Sequence, residues 1–109
     1  MPGAAPRLKG ANAERALVRW LRETGHAPDA RRYLAGDGRQ PGDIDALPGL
    51  CLEVKARDRC APGGWMIQAE SQAAGRLAVV VYHPPGVADP GQWVAMLRFD
   101  EFLTLWQDR

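Results

Sequence analysis

At 109 residues, with 46% apolar and 25% charged content, the chain is long enough for one buried core and has the balance of an ordinary globular domain. A net charge of +1 excludes a generic polycation, and no apolar run approaches the ~20 residues of a membrane span. The two cysteines, Cys51 and Cys60, fit neither a zinc pair nor a redox CxxC, and MPGAAPRLKG lacks the apolar core of a signal peptide, so reduced thiols and an intracellular, cytoplasmic location are expected.

Residues 1–8 read as a flexible arm, followed by a single domain over 9–109. A helix is expected from Ala11 to Thr24, with Asn12 as a possible N-cap and Gly25 as its stop. Ala13, Ala16, Leu17, Trp20 and Leu21 recur at helical spacing and form its buried face. Glu14 borders that face, either as a first-turn acid complementing the helix dipole or as a carboxylate turned toward the sheet. Arg15, Arg19 and Arg22 fall on the other flank, suited to solvent or phosphate.

A short strand is expected around Arg31–Leu34. Arg31 and Arg32 then precede the glycine-rich loop Ala35-Gly36-Asp37-Gly38-Arg39-Gln40. That loop is either a plain surface loop or one able to approach a nucleic-acid backbone closely. Asp43–Ala46 reads as a strand, with Leu47-Pro48-Gly49 as its turn. Asp43 and Asp45 are two apart and share a face; Asp45 reads as the polar side of an edge strand, with a place beside Asp43 as the alternative.

Leu50–Ala56 reads as a buried strand in which Leu50, Leu52 and Val54 alternate with Cys51, Glu53 and Lys55. Glu53 and Lys55 therefore leave one face. An acid and an amine on a buried strand cost free energy unless they are paired or bind something. Together with Asp43 they offer hard oxygen ligands for a divalent cation such as Mg²⁺, with an ammonium alongside. That combination is equipment for hydrolysing a phosphodiester.

The polar loop after Lys55 carries Arg57 and Arg59, which read as solvated or as phosphate contacts. A second helix is expected from Trp65 to Ala74, stopping at Gly75. Met66, Ala69 and Ala73 form its packing face, and Gln68, Glu70 and Gln72 are its polar members. Leu77–Tyr82 is apolar on both faces, as a central strand should be. His83 at its end could serve as a catalytic acid or base, but a lone histidine at a strand end reads as structural or exposed. After a polar turn over Val87–Gln92, Trp93–Arg98 reads as a further strand paired with Leu77–Tyr82. Asp100 is the expected N-cap of a last helix over Glu101–Trp106, with Phe99 and Leu103 as a hydrophobic staple. That helix is apolar enough to dock on the core, and its aromatic surplus also suits a dimer contact.

Charge is uneven along the chain. Residues 1–40 hold eight Lys+Arg and four Asp+Glu, while residues 41–109 hold six and nine. Three of the nine acids are Asp43, Asp45 and Glu53, so a bound cation would offset much of the local negative potential. The basic first part could then track a phosphate backbone.

Pro41-Gly42-Asp43 followed by Glu53-Val54-Lys55 resembles the PD-(D/E)XK nuclease superfamily. The preceding helix with Lys9-Gly10 and Glu14 is similar to that of archaeal Holliday-junction resolvases and their small phage-encoded relatives. The resemblance runs from about Lys9 to Leu105. It implies a restriction-endonuclease-like α/β core, a central mixed sheet flanked by helices in the order α-β-β-β-α-β-β-α. It further implies a Mg²⁺-dependent DNA endonuclease, with Mn²⁺ able to substitute, acting on branched or junction DNA as a homodimer in a bacterial or phage-infected cell. By the same resemblance Asp43, Glu53 and the Val54 carbonyl would hold the metal, and Lys55 would orient or polarise the attacking water. Glu14 would add a ligand through water or complete a second metal site. Gln68 would assist from the second helix, with Gln72 or Glu70 as alternatives, and Arg31, Arg32, Arg39, Arg57 and Arg59 are the DNA-contact candidates. Rival readings are a nicking or single-strand nuclease working with a partner, a non-catalytic nucleic-acid-binding module of the same fold, and a structural domain whose Glu53–Lys55 proximity is a surface ion pair.

Overall fold

The computed structural model describes residues 4–34 and 40–109, with side chains from Leu8 onward. Its elements are α1 (Ala4–Glu23), β1 (Arg31–Arg32), β2 (Ile44–Asp45), β3 (Leu50–Lys55), α2 (Pro62–Gln72), β4 (Leu77–Tyr82), a 3₁₀ turn at Pro90–Gln92, β5 (Val94–Met96) and α3 (Phe99–Gln107). The five strands form one sheet in the order β1-β2-β3-β4-β5. β3 and β4 run parallel, and the other neighbours are antiparallel. The chain is thus an α/β domain with a five-stranded mixed sheet flanked by helices.

The central pair dictates the layering. Parallel neighbours need a crossover, which α2 supplies, and strands buried on both faces must be apolar on both. Ala13, Leu17, Val18 and Leu21 of α1 cover one face, against Ile44, Leu52, Val54 and Val79. Met66 and Ala69 of α2, with Ala73 at its C-cap, cover the other, against Cys51, Ala78 and Val80. The alanines let α2 lie close enough for the Cys51 thiol to donate to the Ala69 carbonyl at 3.7 Å. Cys51 and Glu53 therefore share the face under α2, as the alternation of β3 requires.

Several boundaries differ from expectation. α1 starts at Ala4, so the expected arm over residues 1–8 is helical from Ala4 onward. Pro6 falls in the first turn, where a missing N–H breaks no intrahelical bond. Asn12 lies inside the helix and accepts from Arg15 Nη1 at 3.2 Å rather than capping. α2 begins at Pro62, near Trp65 but three residues earlier, because proline is pre-set for the first helical position. α3 is capped at Arg98 without a side-chain bond, which leaves Asp100 in the first turn instead of at the N-cap. No residue of α3 is buried. With α1 and α2 already on the two sheet faces, α3 does not dock on the core. Its aromatics stack along the helix instead, Phe99 on Phe102 at 6.2 Å and Phe102 on Trp106 at 6.3 Å. Among the described residues no helix is long and apolar enough to cross a membrane.

Candidate active site

The site forms where β2 ends and β3 continues. Ile44 pairs with Leu52, and the Asp43 N–H donates to the Leu52 carbonyl at 2.8 Å. Two residues further along β3, Val54 pairs with Val81 of β4 on one edge but has no β2 residue opposite it on the other. Its N–H is taken by Asp43 Oδ2 at 2.8 Å. A residue's N–H and C=O point to the same edge of a strand, so the Val54 carbonyl faces the gap that β2 leaves. Asp43 is pinned at both ends, since its own carbonyl accepts from Tyr33 N–H at 3.0 Å.

Gly42 makes this placement possible. Its φ is +93°, and a Cβ there would lie 2.6 Å from the Leu52 carbonyl oxygen and 2.9 Å from the Leu52 nitrogen. Both neighbours are backbone of a sheet strand and cannot swing aside. Only glycine lets the chain pass close enough to present Asp43 at this point.

The resulting cleft holds about 310 Å³ and is lined by Glu14, Arg32, Asp43, Glu53, Val54, Lys55, Arg57, Gln68 and Gln72, together with the Gly10–Ala11 backbone turn of α1. Glu53 is 3% exposed, and its Oε1 has no hydrogen-bond partner among the described residues. Burial, then the charge of Asp43, then a hydrogen bond with the Asp43 carboxylate push the Glu53 carboxyl up to about 8, against the opposing pull of the Lys55 ammonium. Two carboxyl groups are thus set against each other in a buried place, an arrangement that a bound cation would relieve. Burial and Asp43 also raise Glu14, opposed by Arg32, whose Nε donates to Glu14 Oε1 at 3.1 Å. Lys55 Nζ donates to Gln68 Oε1 at 2.7 Å. The Cys51 thiol beneath is pushed up to about 11 by burial and the neighbouring acids, which makes it inert.

Glu14, Asp43, Glu53, Val54, Lys55 and Gln68 are thus brought to one cleft, with Arg32 and Arg57. Of the alternatives to Gln68, Gln72 also lines the cleft, whereas Glu70 is turned to Arg98. Arg31 stands opposite Asp45, 3.4 Å away across β1 and β2, so both lie outside the cleft. Arg59 is exposed on the loop after β3 and does not line it. Arg39 lies outside the described residues. His83 stacks on Trp93 at 4.2 Å, a structural place. The sequence reading missed the Arg32–Glu14 pair, which joins residues 18 apart and leaves no local signal.

No three His, Cys, Asp or Glu side chains gather as a metal-ligand group among the described residues. What the cleft offers is a two-carboxylate pair with one unbonded buried oxygen. Mg²⁺ is commonly held through one or two carboxylates and keeps several waters, so Asp43 and Glu53 suit it. Comparison with family models, curated proteins and solved structures finds no match to this chain.

Proposed function

We propose that this protein is a metal-dependent DNA endonuclease of the PD-(D/E)XK kind, with a restriction-endonuclease-like core and branched or junction DNA as its substrate. The observation that carries the reading is Glu53. A buried carboxyl with an unbonded oxygen, set against a second carboxylate and next to a lysine, costs stability and has no packing purpose. Asp43 and Glu53 would hold the cation, with the Val54 carbonyl on the edge that β2 leaves open. When bound, a divalent cation polarises a phosphate oxygen and lowers the pKa of water. Lys55 places positive charge where negative charge develops on the phosphorus centre, and Gln68 fixes its ammonium in position. Glu14, held by Arg32, keeps a further carboxylate at the rim for a water or a second cation.

The homodimer belongs to the same reading and is supported by α3. Phe99 is 72% exposed and Trp106 53%, with Phe102, Leu103 and Leu105 also open to solvent. A second copy covering this face would give the two-fold symmetry that a four-way junction presents. Sedimentation equilibrium of wild type and Trp106→Glu reads this directly: a dimer for the first and a monomer for the second are expected.

The deciding experiment is cleavage of a labelled four-way junction, beside duplex and single strands, with Mg²⁺ or Mn²⁺. Wild type is run next to Asp43→Asn and Lys55→Ala. Paired cuts in the junction that vanish in both variants are expected. Cutting of duplex or single strands alone would retain the nuclease and discard the junction. Undiminished activity in both variants would discard the site.

A further inference from the structure

Beside the cleft, between α1 and β1, lies a groove of about 600 Å³. Arg15, Arg19 and Arg22 line it from α1 and Arg31 and Arg32 from β1, with Glu23 as the single acid. The α1 arginines are spaced i, i+4 and i+7, one helix face covering about 10 Å along the axis. Like charges at that spacing destabilise a helix, so the array needs a reason outside the helix. Arg31 and Arg32 have carboxylate partners in Asp45 and Glu14. Arg15, Arg19 and Arg22 form no ion pair with a described carboxylate, although Arg22 Nε is anchored to the Ala30 carbonyl at 2.7 Å, which holds its guanidinium in place.

Arg32 lines both this groove and the cleft. The two therefore adjoin at Arg32, with Glu14 on the cleft side of it. A chain of anions lying across the cleft would pass Arg32 and enter the arginine array. About 10 Å of track takes about two phosphates of one strand, because successive phosphates lie further apart along the strand than the ~3.4 Å rise per base along the duplex axis. The lining cations are all arginines, whose planar fork matches phosphate in a bidentate fashion. An evenly spaced row suits a periodic polyanion better than an acidic peptide, whose carboxylates diverge.

We propose that the groove between α1 and β1 is a nucleic-acid phosphate track, with Arg15, Arg19 and Arg22 holding the strand that runs on from the cleft. This rests on the nuclease reading for its substrate class, and its test is a binding measurement that needs no turnover. The probe is fluorescently labelled duplex and four-way-junction DNA, titrated with full-length protein by anisotropy in Ca²⁺ buffer over a range of salt. Arg15→Gln/Arg19→Gln, both exposed, is the main variant; Arg19→Glu alone is the second, and thermal melting checks that each is folded. Loss of two phosphate contacts should flatten the slope of log K against log salt by about 2 and weaken binding at low salt by on the order of tenfold. Arg76→Gln, on the turn after α2 and away from the groove, should bind as wild type does.

Wild-type affinity and salt slope in both groove variants would overturn the track. So would an equal loss in Arg76→Gln, or competition by poly-glutamate as effective as DNA, which would mark an acidic-peptide groove. The cleavage assay separates the two readings. Groove variants that lose binding in a protein that cuts nothing would sustain the track and discard the nuclease. Cutting that depends on Asp43, with DNA affinity untouched in the groove variants, would do the reverse.

Discussion

Glu53 and Glu70 lie at opposite ends of the structural care this chain takes with its charges. Glu70 sits on the outer face of α2 and accepts two bonds from Arg98, at 3.0 and 2.8 Å. The guanidinium holds its carboxyl below the usual range. Glu53 is buried under α2, has one oxygen without a partner among the described residues, and is pushed the other way. The better-made interaction is the one in water, where an ion pair contributes little. The incomplete one is in the interior, where incompleteness is expensive. Proteins tolerate such a group where something else completes it, so the unfinished carboxyl rather than the tidy one marks the candidate site.

The largest effect that follows concerns chemistry. On the proposed nuclease reading, Lys55→Ala should lower the rate of DNA cleavage by on the order of 10²–10³-fold, as loss of one positioned charge does at other transition states. Glu70→Gln should leave that rate unchanged. Single-turnover cleavage with Mg²⁺ reads both, and equal losses would erase the distinction between the two ends.

Next is the backbone that delivers Asp43. Gly42→Ala should cost about 2–4 kcal/mol, from the left-handed φ and from the close approach to the Leu52 backbone together. Gly86→Ala is the control, since φ there is +78° but, among the described residues and beyond its chain neighbours, no atom lies within 4 Å of the added Cβ. It should cost about 1 kcal/mol. Urea denaturation separates them; equal losses would mean that only the φ matters and the packing at Leu52 does not.

The parts of this arrangement legible in sequence are the ones set by local alternation. β4 was readable from Leu77 to Tyr82 because a strand covered on both faces is apolar throughout. Glu53 and Lys55 could be placed on one side because the strand period is 2. What could not be read depends on distant partners. Pro41-Gly42 announces a turn, but the need for glycine comes from Leu52, ten residues on. Glu14 bordered an apolar face; that Arg32 holds it at the cleft is a tertiary fact. α3 shows the same limit. Its pattern gives an apolar face without saying whether the sheet has any face left to cover. The start of α1 was misplaced because proline and glycine read as arm residues, whereas a first turn accepts proline.

The titration of Glu53 gives a third prediction. Its carboxyl is near 4.5 when unfolded and about 8 in the fold. Between those values the folded protein binds the extra proton, so stability falls as pH rises through that window and levels off above about pH 8. The melting temperature of the metal-free protein should therefore decline from pH 5 to pH 8.5, and Glu53→Gln should flatten the decline. Mg²⁺ should offset it at the alkaline end, because a cation stabilises the deprotonated pair. A wild-type profile as flat as that of Glu53→Gln would mean that the carboxyl is solvated rather than buried and incompletely bonded.

The smallest effect belongs to the well-made pair. Arg98 and Glu70 have side chains 48% and 41% exposed, so each loses little hydration on folding and gains little from its partner in a medium of high dielectric. Glu70→Gln should leave the melting temperature unchanged at physiological salt, and any difference at low ionic strength should vanish as salt is added. Differential scanning calorimetry at two salt concentrations reads this. A loss that persists in high salt could not be Coulombic. It would mean instead that the bidentate contact fixes β5 and α3 against α2, and that geometry at this rim matters as much as burial does at the cleft.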